Sequence, residues 1–247
     1  MSGHSKWSSI KHQKGIKDAR KGKEFSKLAN TITIAVREGG GSDPEANFKL
    51  RLAMDRARTA NMPKDNIDRA IARANPSKDV SLQEITYEGF GPEGIAVLVK
   101  TLTNNKNRTV SEIRNVFNNS GGKMVTPGSV SHQFKQVGII KAISENLDDL
   151  ELLAIDLGAN DTKQEDNKLI VYSTPQNLHK IQKSFKDHKV QIEDADFSYE
   201  PSNTIHIIEK SKAEKILKFV EILESAEEVV GVWSNFDIDD QIIKEIT

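Results

Sequence analysis

The sequence predicts an α+β protein: a small N-terminal three-helix domain followed by two α/β domains of ferredoxin-like type, the third inserted into the second. Three observations carry this. Apolar residues recur at helical spacing up to residue 75, then alternate or cluster as in strands beyond residue 80. Residues 137–199 read strand, helix, strand, strand, helix, strand, the βαββαβ order. Residues 80–135 lack a closing helix and strand, and the C-terminus supplies one of each. The expected boundaries are 1–76 for a basic arm and the helical domain, 77–135 with 204–247 for the middle domain, and 136–203 for the insert.

The first helix is read over 25–36, where Phe25, Leu28, Ala29, Ile32, Ala35 and Val36 share a face. GGGSDPE then breaks the helix, and Ser42 with Glu45 fits a capping box for the next. In that helix Leu50, Ala53, Met54, Ala57 and Ala60 form the apolar stripe, and Lys49, Arg51, Arg56 and Arg58 lie off it. NMP turns the chain into a third helix, with Ile67, Ala70, Ile71 and Ala74 inward and Lys64, Arg69 and Arg73 elsewhere; NPSK at 75–78 reads as its exit linker. EITYEGF (84–90) and GIAVLVKTLT (94–103) read as strands. RTVSEIRNVFNNS reads as a helix with Thr109 and Glu112 as its capping box, and 121–135 as a loop ending in a short strand. After the insert come one helix (SKAEKILKFVEILES) and one strand (EEVVGVWSNFDI).

The formal net charge of −1 hides an asymmetry. Residues 1–75 carry 16 Lys and Arg against 8 Asp and Glu, a balance of +8; residues 142–247 carry 11 against 23, or −12. A basic front and an acidic back would orient the chain on a polyanion, front first. Cysteine is absent, which excludes disulfides, thiolate metal sites and Cys nucleophiles. No window reads as a membrane span, and the N-terminus lacks the apolar core of a secretory signal.

No motif makes a convincing enzyme site. GFGPEG (89–94) matches G-x-G-x-x-G, but a strand follows it where a dinucleotide site needs a helix, so it reads as a hairpin turn. Ser8-Ser9-Ile10-Lys11 matches S-x-x-K by chance within the basic arm. The six His show no metal-ligand spacing, and His179 and His188 read as surface residues of a helix end. Asp148, Asp149 and Glu151 suit the first turn of a helix. No cofactor or metal is expected.

The binding candidates are clearer. Lys6, Lys11, Lys14, Lys17, Arg20, Lys21, Lys23 and Lys27 can each neutralise a phosphate, and Trp7 can stack on an unpaired base. A second candidate is TNNKNRT (103–109), where a strand ends and a helix opens: Asn105 and Asn107 can donate and accept, and Arg108 can fork onto phosphate. Asn105 serves equally well as a turn residue. Arg51, Lys64 and Arg69 are further basic candidates on the helical domain.

These residues together resemble the YebC/PmpR family, whose mitochondrial relatives include the translational activator of cytochrome c oxidase. The marks are GHSKWSSIKH (3–12), DARKGKEFSKL (18–28), DPEANFKLR (43–51), NMPKDNIDRAI (61–71), YEGFGPEGIAV (87–97), NKNRT (105–109), GSV (128–130) and NFDI (235–238). The resemblance implies three domains, a cytoplasmic or mitochondrial location and no enzymatic activity. It also implies nucleic-acid contacts by His4, Lys6, Trp7, Lys11, His12, Lys14, Lys17 and Arg20, and by Arg108. Asn104, Val125 and Asn160 depart from the family's usual pattern.

Two functions are therefore expected in competition. One is a DNA-binding transcriptional regulator, with the helices flanking NMP as a helix-turn-helix; few side chains beyond Lys64, Asn66 and Arg69 would read bases, and no dimer seam is evident, so a monomer is expected. The other is a ribosomal-RNA- or ribosome-binding translation factor that relieves stalling, for example at consecutive prolines. A basic arm with one stacking ring suits structured RNA.

Overall fold

The computed structural model describes residues 18–74 and 82–246. An α+β fold results, with helices leading and strand-rich regions following, as the sequence predicts. The chain divides into two compact units. One comprises residues up to Ile34, Arg73–Lys135 and Glu200–Thr247; the other comprises Ala35–Ala72 and Gln136–Tyr199. Among the described residues no helix is long and apolar enough to cross a membrane.

Three helices come first: α1 (Asp18–Glu38), α2 (Phe48–Thr59) and α3 (Lys64–Arg73). The first starts earlier than the apolar stripe suggests. It ends where Gly40 and Gly41 take φ of +99° and +118°, a region that favours glycine. Ser42 and Glu45 do not cap α2. Asn47 does, accepting from Leu50 N at 3.0 Å, while Asp43 takes the Glu45 N–H in a local turn. Asn47 wins because its buried amide also donates to Ala35 O at 2.8 Å and Gly41 O at 2.7 Å, closing the linker on itself. A Cβ at Gly39 would fall 2.2 Å from Asn47 Oδ1, so this closure needs glycine there.

The first unit is built on a four-stranded sheet. Strands β1 (Gln83–Phe90) and β2 (Ala96–Thr103) form an antiparallel hairpin around a 3-10 turn at Pro92–Gly94, so GFGPEG is the expected hairpin turn. Helix α4 (Lys106–Asn119) leads to β3 (Lys123–Val125), which opens the 121–135 segment instead of closing it. The closing strand β9 (Val229–Ser234) pairs with β2, so residues more than a hundred positions apart complete one sheet, in the order β3-β1-β2-β9. Helix α7 (Lys210–Ser225) packs beside α4, with Phe117 and Phe219 edge to face at 5.1 Å. Glu88 of β1 is buried and accepts from the N–H groups of Gly128 (2.7 Å), Val130 (2.6 Å) and Ser131 (2.9 Å), holding the loop beyond β3.

The expected single C-terminal strand is two. Asn235 pairs with Ala96 through its side chain and backbone, then hands its carbonyl to Ile205 N at 2.7 Å. The chain thereby leaves the large sheet, and β10 (Phe236–Ile238) runs parallel to β8 (Ile205–Ile207). A final helix α8 (Asp240–Ile246), absent from the expectation, covers the core with Ile243.

In the second unit β4 (Phe134–Ile143), α5 (Leu147–Asp156), β5 (Asp161–Glu165), β6 (Lys168–Ser173), α6 (Pro175–Asp187) and β7 (Gln191–Pro201) follow the βαββαβ order. Their sheet order, β5-β6-β4-β7, is that of a ferredoxin-like fold. Asp148 and Asp149 fall in the first turn of α5 behind the Asn146 cap. Leu52 of α2 joins the same core as Ile140, Leu169, Leu178 and Phe185.

Candidate nucleic-acid interface

His4, Lys6, Trp7, Lys11, His12, Lys14 and Lys17 lie outside the described residues, as does the S-x-x-K match, the exit linker at 75–78 and the side chain of Arg20. The basic run continues into α1, where Lys21 and Lys23 are exposed and make no ion pair among the described residues. Lys27 is spent differently. Its Nζ donates to the carbonyl of Glu224, at the end of α7, at 2.7 Å. Arg73, at the end of α3, donates to Asn30 Oδ1 at 2.5 Å and Thr33 Oγ1 at 3.3 Å on α1.

The turn after β2 supplies the second group. Asn105 caps α4, its side-chain oxygen accepting from Arg108 N at 3.1 Å. Thr109 is therefore not the cap; it lies one turn in, buried, with its hydroxyl on the Glu228 carboxylate. Thr103 also donates to Glu228, at 2.9 Å, and accepts from Asn105 N at 2.8 Å. Arg108 pairs with the same carboxylate while its side chain stays 59% exposed. Lys106 and Asn107 stand in solvent beside it. Burial alone would raise the pKa of Glu228, but the hydrogen bonds from Thr109, Arg108 and Thr103 outweigh it and hold the carboxyl below its ordinary range. Glu228 is thus ionised and fixes the direction in which the guanidinium points.

The two basic sequence regions therefore share one unit. Asn30, Arg73 and Arg108 from the helices and Leu102, Asn104, Glu227 and Glu228 from the strand ends line a cleft of about 150 Å³. Its charges balance, Arg73 and Arg108 against Glu227 and Glu228 with two amides between them, and the group that reaches solvent for a phosphate is the mostly exposed guanidinium of Arg108. Among the described residues no group of His, Asp and Glu is arranged to hold a metal ion.

The remaining candidates belong to the second unit. Arg51 is committed internally, donating to Pro44 O at 3.0 Å and Glu45 O at 2.8 Å, with Nη1 3.3 Å from His179 Nε2. His179 is accordingly only partly exposed and lies in the middle of α6 instead of at its end, with its ring 4.6 Å from that of Phe48. Burial, then the charges of Arg51 and Lys183, push its pKa down, so the neutral ring accepts from the guanidinium. Arg69 folds back on Asp65 O and Asn66 within α3, and Lys64 is exposed at its first turn. Sequence reasoning missed Glu228, Thr103, Asn30 and Asn47. Each acts on residues brought to it by folding; only Asn47, a good N-cap type before an apolar run, carried a local signal.

Comparison with known proteins agrees over nearly the whole chain. Residues 5–77 match the TACO1/YebC protein N-terminal domain, and residues 82–236 match the TACO1/YebC second and third domain. A protein of Halothermothrix orenii named "Probable transcriptional regulatory protein" is 43% identical, over 100% of this chain and 99% of its own. A protein of the same name from Thermotoga maritima is 43% identical over 100% of this chain and 98% of its own. The crystal structure of a conserved hypothetical protein from Aquifex aeolicus superposes with a TM-score of 0.84 at 37% identity, over 90% of this chain and 93% of that one. The chain belongs to the TACO1/YebC family.

Proposed function

We propose that this member of the TACO1/YebC family is a nucleic-acid-binding regulator of gene expression that acts by binding and not by catalysis. The observation that carries the reading is the exposed positive charge at the start of α1: Lys21 and Lys23 stand in solvent with no ion pair among the described residues, and they continue the run of Lys6, Lys11, Lys14 and Lys17. Arg108, oriented by Glu228, and Lys106 add cations within the same unit. The names of the relatives, probable transcriptional regulatory proteins, support regulation through nucleic acid. The reading needs no cofactor, metal or membrane, and it takes the protein to be a cytoplasmic monomer.

RNA, as in ribosome binding, is the second reading, and one observation favours it. In α3 the side chains of Arg69 and Asn66 are engaged with each other, which leaves that helix poorly equipped to read bases in a major groove. Neutralising Lys11, Lys14 and Lys17 together should weaken binding to every sequence and flatten the salt dependence. The log–log slope should fall by about 0.9 for each duplex phosphate no longer neutralised, and by about 0.7 for each single-strand phosphate. An unchanged slope overturns the reading. Co-sedimentation with ribosomes beside titration of duplex DNA, both at physiological salt, separates the two targets.

A further inference from the structure

Helix α5 of the second unit turns only part of its apolar surface inward. Leu150 and Ala154 are buried in the core, whereas Leu152 is 62% exposed and Ile155 53%. With Asp148 and Glu151 these two fall at i, i+3, i+4 and i+7, one stripe of the helix. The stripe runs beside β5. Gln164 Nε2 donates to Asp148 Oδ1 and to Glu151 Oε2, each at 3.0 Å, and the Thr162 hydroxyl donates to Glu151. Strand β5 ends the sheet order β5-β6-β4-β7 and pairs with β6, so the other side of its backbone has no strand partner among the described residues. Natural sheet edges are guarded by lysine, by proline or by a cover. Strand β5 has no proline, and its one lysine, Lys163, is neutralised by Glu165 at 2.6 Å.

The charge around this face says what can cover it. Residues 145–166 hold eight carboxylates and one cation, Lys163. Glu145, Asp148, Asp149, Asp156, Asp161 and Asp166 are exposed. Two cations reach the region from neighbouring elements: Lys180 donates to Leu157 O at the end of α5, and Lys168 pairs with Glu193. The carboxylates still outnumber the cations by a wide margin. A nucleic acid or an anionic lipid surface is repelled here. A second copy paired edge to edge would set two such faces against each other, like charge against like.

We propose that the α5–β5 face docks a basic, extended segment of a partner protein, added as a further strand beside β5. The partner's backbone takes the open N–H and C=O groups of β5. Side chains of a strand alternate between its two faces, so apolar residues at every second position cover Leu152 and Ile155. Lys or Arg between them meets the surrounding carboxylates. A helix would cover the apolar pair and leave the strand edge open, so an extended segment fits the face better. The proposal does not rest on the nucleic-acid reading; it uses the acidic part of the chain, to which that reading gives no task.

The test is fluorescence anisotropy of a labelled peptide of alternating Lys and Val titrated with the full chain, beside an oligolysine of the same length. The alternating peptide should saturate, and the oligolysine should bind roughly tenfold or more weakly, because it offers charge without apolar cover. Leu152→Ser with Ile155→Ser should weaken the alternating peptide by a similar factor without lowering the melting temperature, since both side chains are mostly in solvent. Asp156→Lys keeps the apolar pair and should weaken the peptide most at low salt. Amide exchange over residues 161–165 should slow on binding, as strand addition requires. The proposal is overturned by no saturation, by equal affinity for oligolysine, by binding that the serine pair and Asp156→Lys leave intact, or by unchanged exchange in β5. Light scattering that finds a dimer of the full chain, dissolved by the serine pair, would give the face to a second copy and overturn it too. So would tighter peptide binding once Lys11, Lys14 and Lys17 are neutralised, which would give the face to the chain's own arm. Equal binding by that chain supports the proposal and separates it from any failure of the nucleic-acid reading.

Discussion

The loop beyond β3 and the turn beyond β2 are each organised around one buried carboxylate of the same unit. Glu88 is held by three backbone N–H groups, at Gly128, Val130 and Ser131. Glu228 is held by side chains, the hydroxyls of Thr103 and Thr109 and the guanidinium of Arg108. In both, burial would raise the pKa and the donors more than reverse it. The consequence differs with the donor. Backbone donors seal the carboxylate, and its charge does nothing except fix the path of the loop. An arginine donor that reaches solvent turns the carboxylate into a mount for a cation. The same buried acid therefore serves shape in one place and presentation of charge in the other.

The largest effect should come at Glu88. Glu88→Ala leaves three N–H groups without an acceptor and should cost about 3 kcal/mol, since hydrogen bonds to charged groups are worth more than neutral ones. Chemical denaturation measures this, and amide exchange should accelerate over residues 126–133. Nucleic-acid affinity, measured well below the melting point, should not change. Weaker binding with an intact loop would mean that Glu88 also belongs to the interface.

Glu228→Gln should cost less, about 1–2 kcal/mol, because an amide oxygen still accepts from one hydroxyl and Arg108 can turn to water. Its distinguishing effect lies in binding, where the freed guanidinium should lose its fixed direction and sequence-independent affinity should change together with the salt slope. A stability loss as large as that of Glu88→Ala, with binding untouched, would collapse the contrast.

Acid separates the two acids from the rest of the fold. Both carboxyls have folded pKa values below the ordinary 4.5. Their contribution is complete above that value and is lost as pH falls through the lower folded value. Glu88→Gln should therefore flatten the stability profile below about pH 4.5 while leaving its shape near neutrality unchanged. His179 works in the same direction but higher: its lowered pKa adds stability above about 6.5 that is lost as the pH falls below it, so His179→Gln should flatten that window alone.

The smallest effect on stability belongs to Arg108→Gln, because its side chain is mostly exposed and exposed ion pairs contribute little. Its effect on binding should exceed its effect on melting, with the salt slope reduced by no more than about one phosphate's worth. A melting shift comparable to that of Glu228→Gln would show that the guanidinium supports the fold.

Much of the fold is legible in the chain before any packing is known. The period change near residue 80 and the βαββαβ order lie in the spacing of residues such as Ile139, Val171 and Phe185, and they place the elements. Sequence pattern misplaces the caps at Ser42 and Thr109 because two residue types compete for one N-terminus, and the winner is the one with further partners. Asn47 wins through Ala35 and Gly41. Thr109 loses because Glu228 claims its hydroxyl. The break at Asn235 is hidden because apolar residues continue on either side of it; only pairing with Ala96 shows where one sheet ends.

Fold class, the order of the main elements, the basic front and the lack of thiol chemistry follow from the chain alone, since local periodicity and composition act over a few residues. Which charges are free was settled by packing. Lys21 and Lys27 are alike in the sequence, yet one is in solvent and the other holds the end of α7. Glu228 reads as one more acid before a strand, yet it anchors the arginine of a turn about 120 residues earlier. Gln182 reads as a polar residue on an amphipathic helix, yet it is buried. The reason is common to all of them. Solvation and pairing depend on what packs around a side chain, and those neighbours come from distant parts of the chain.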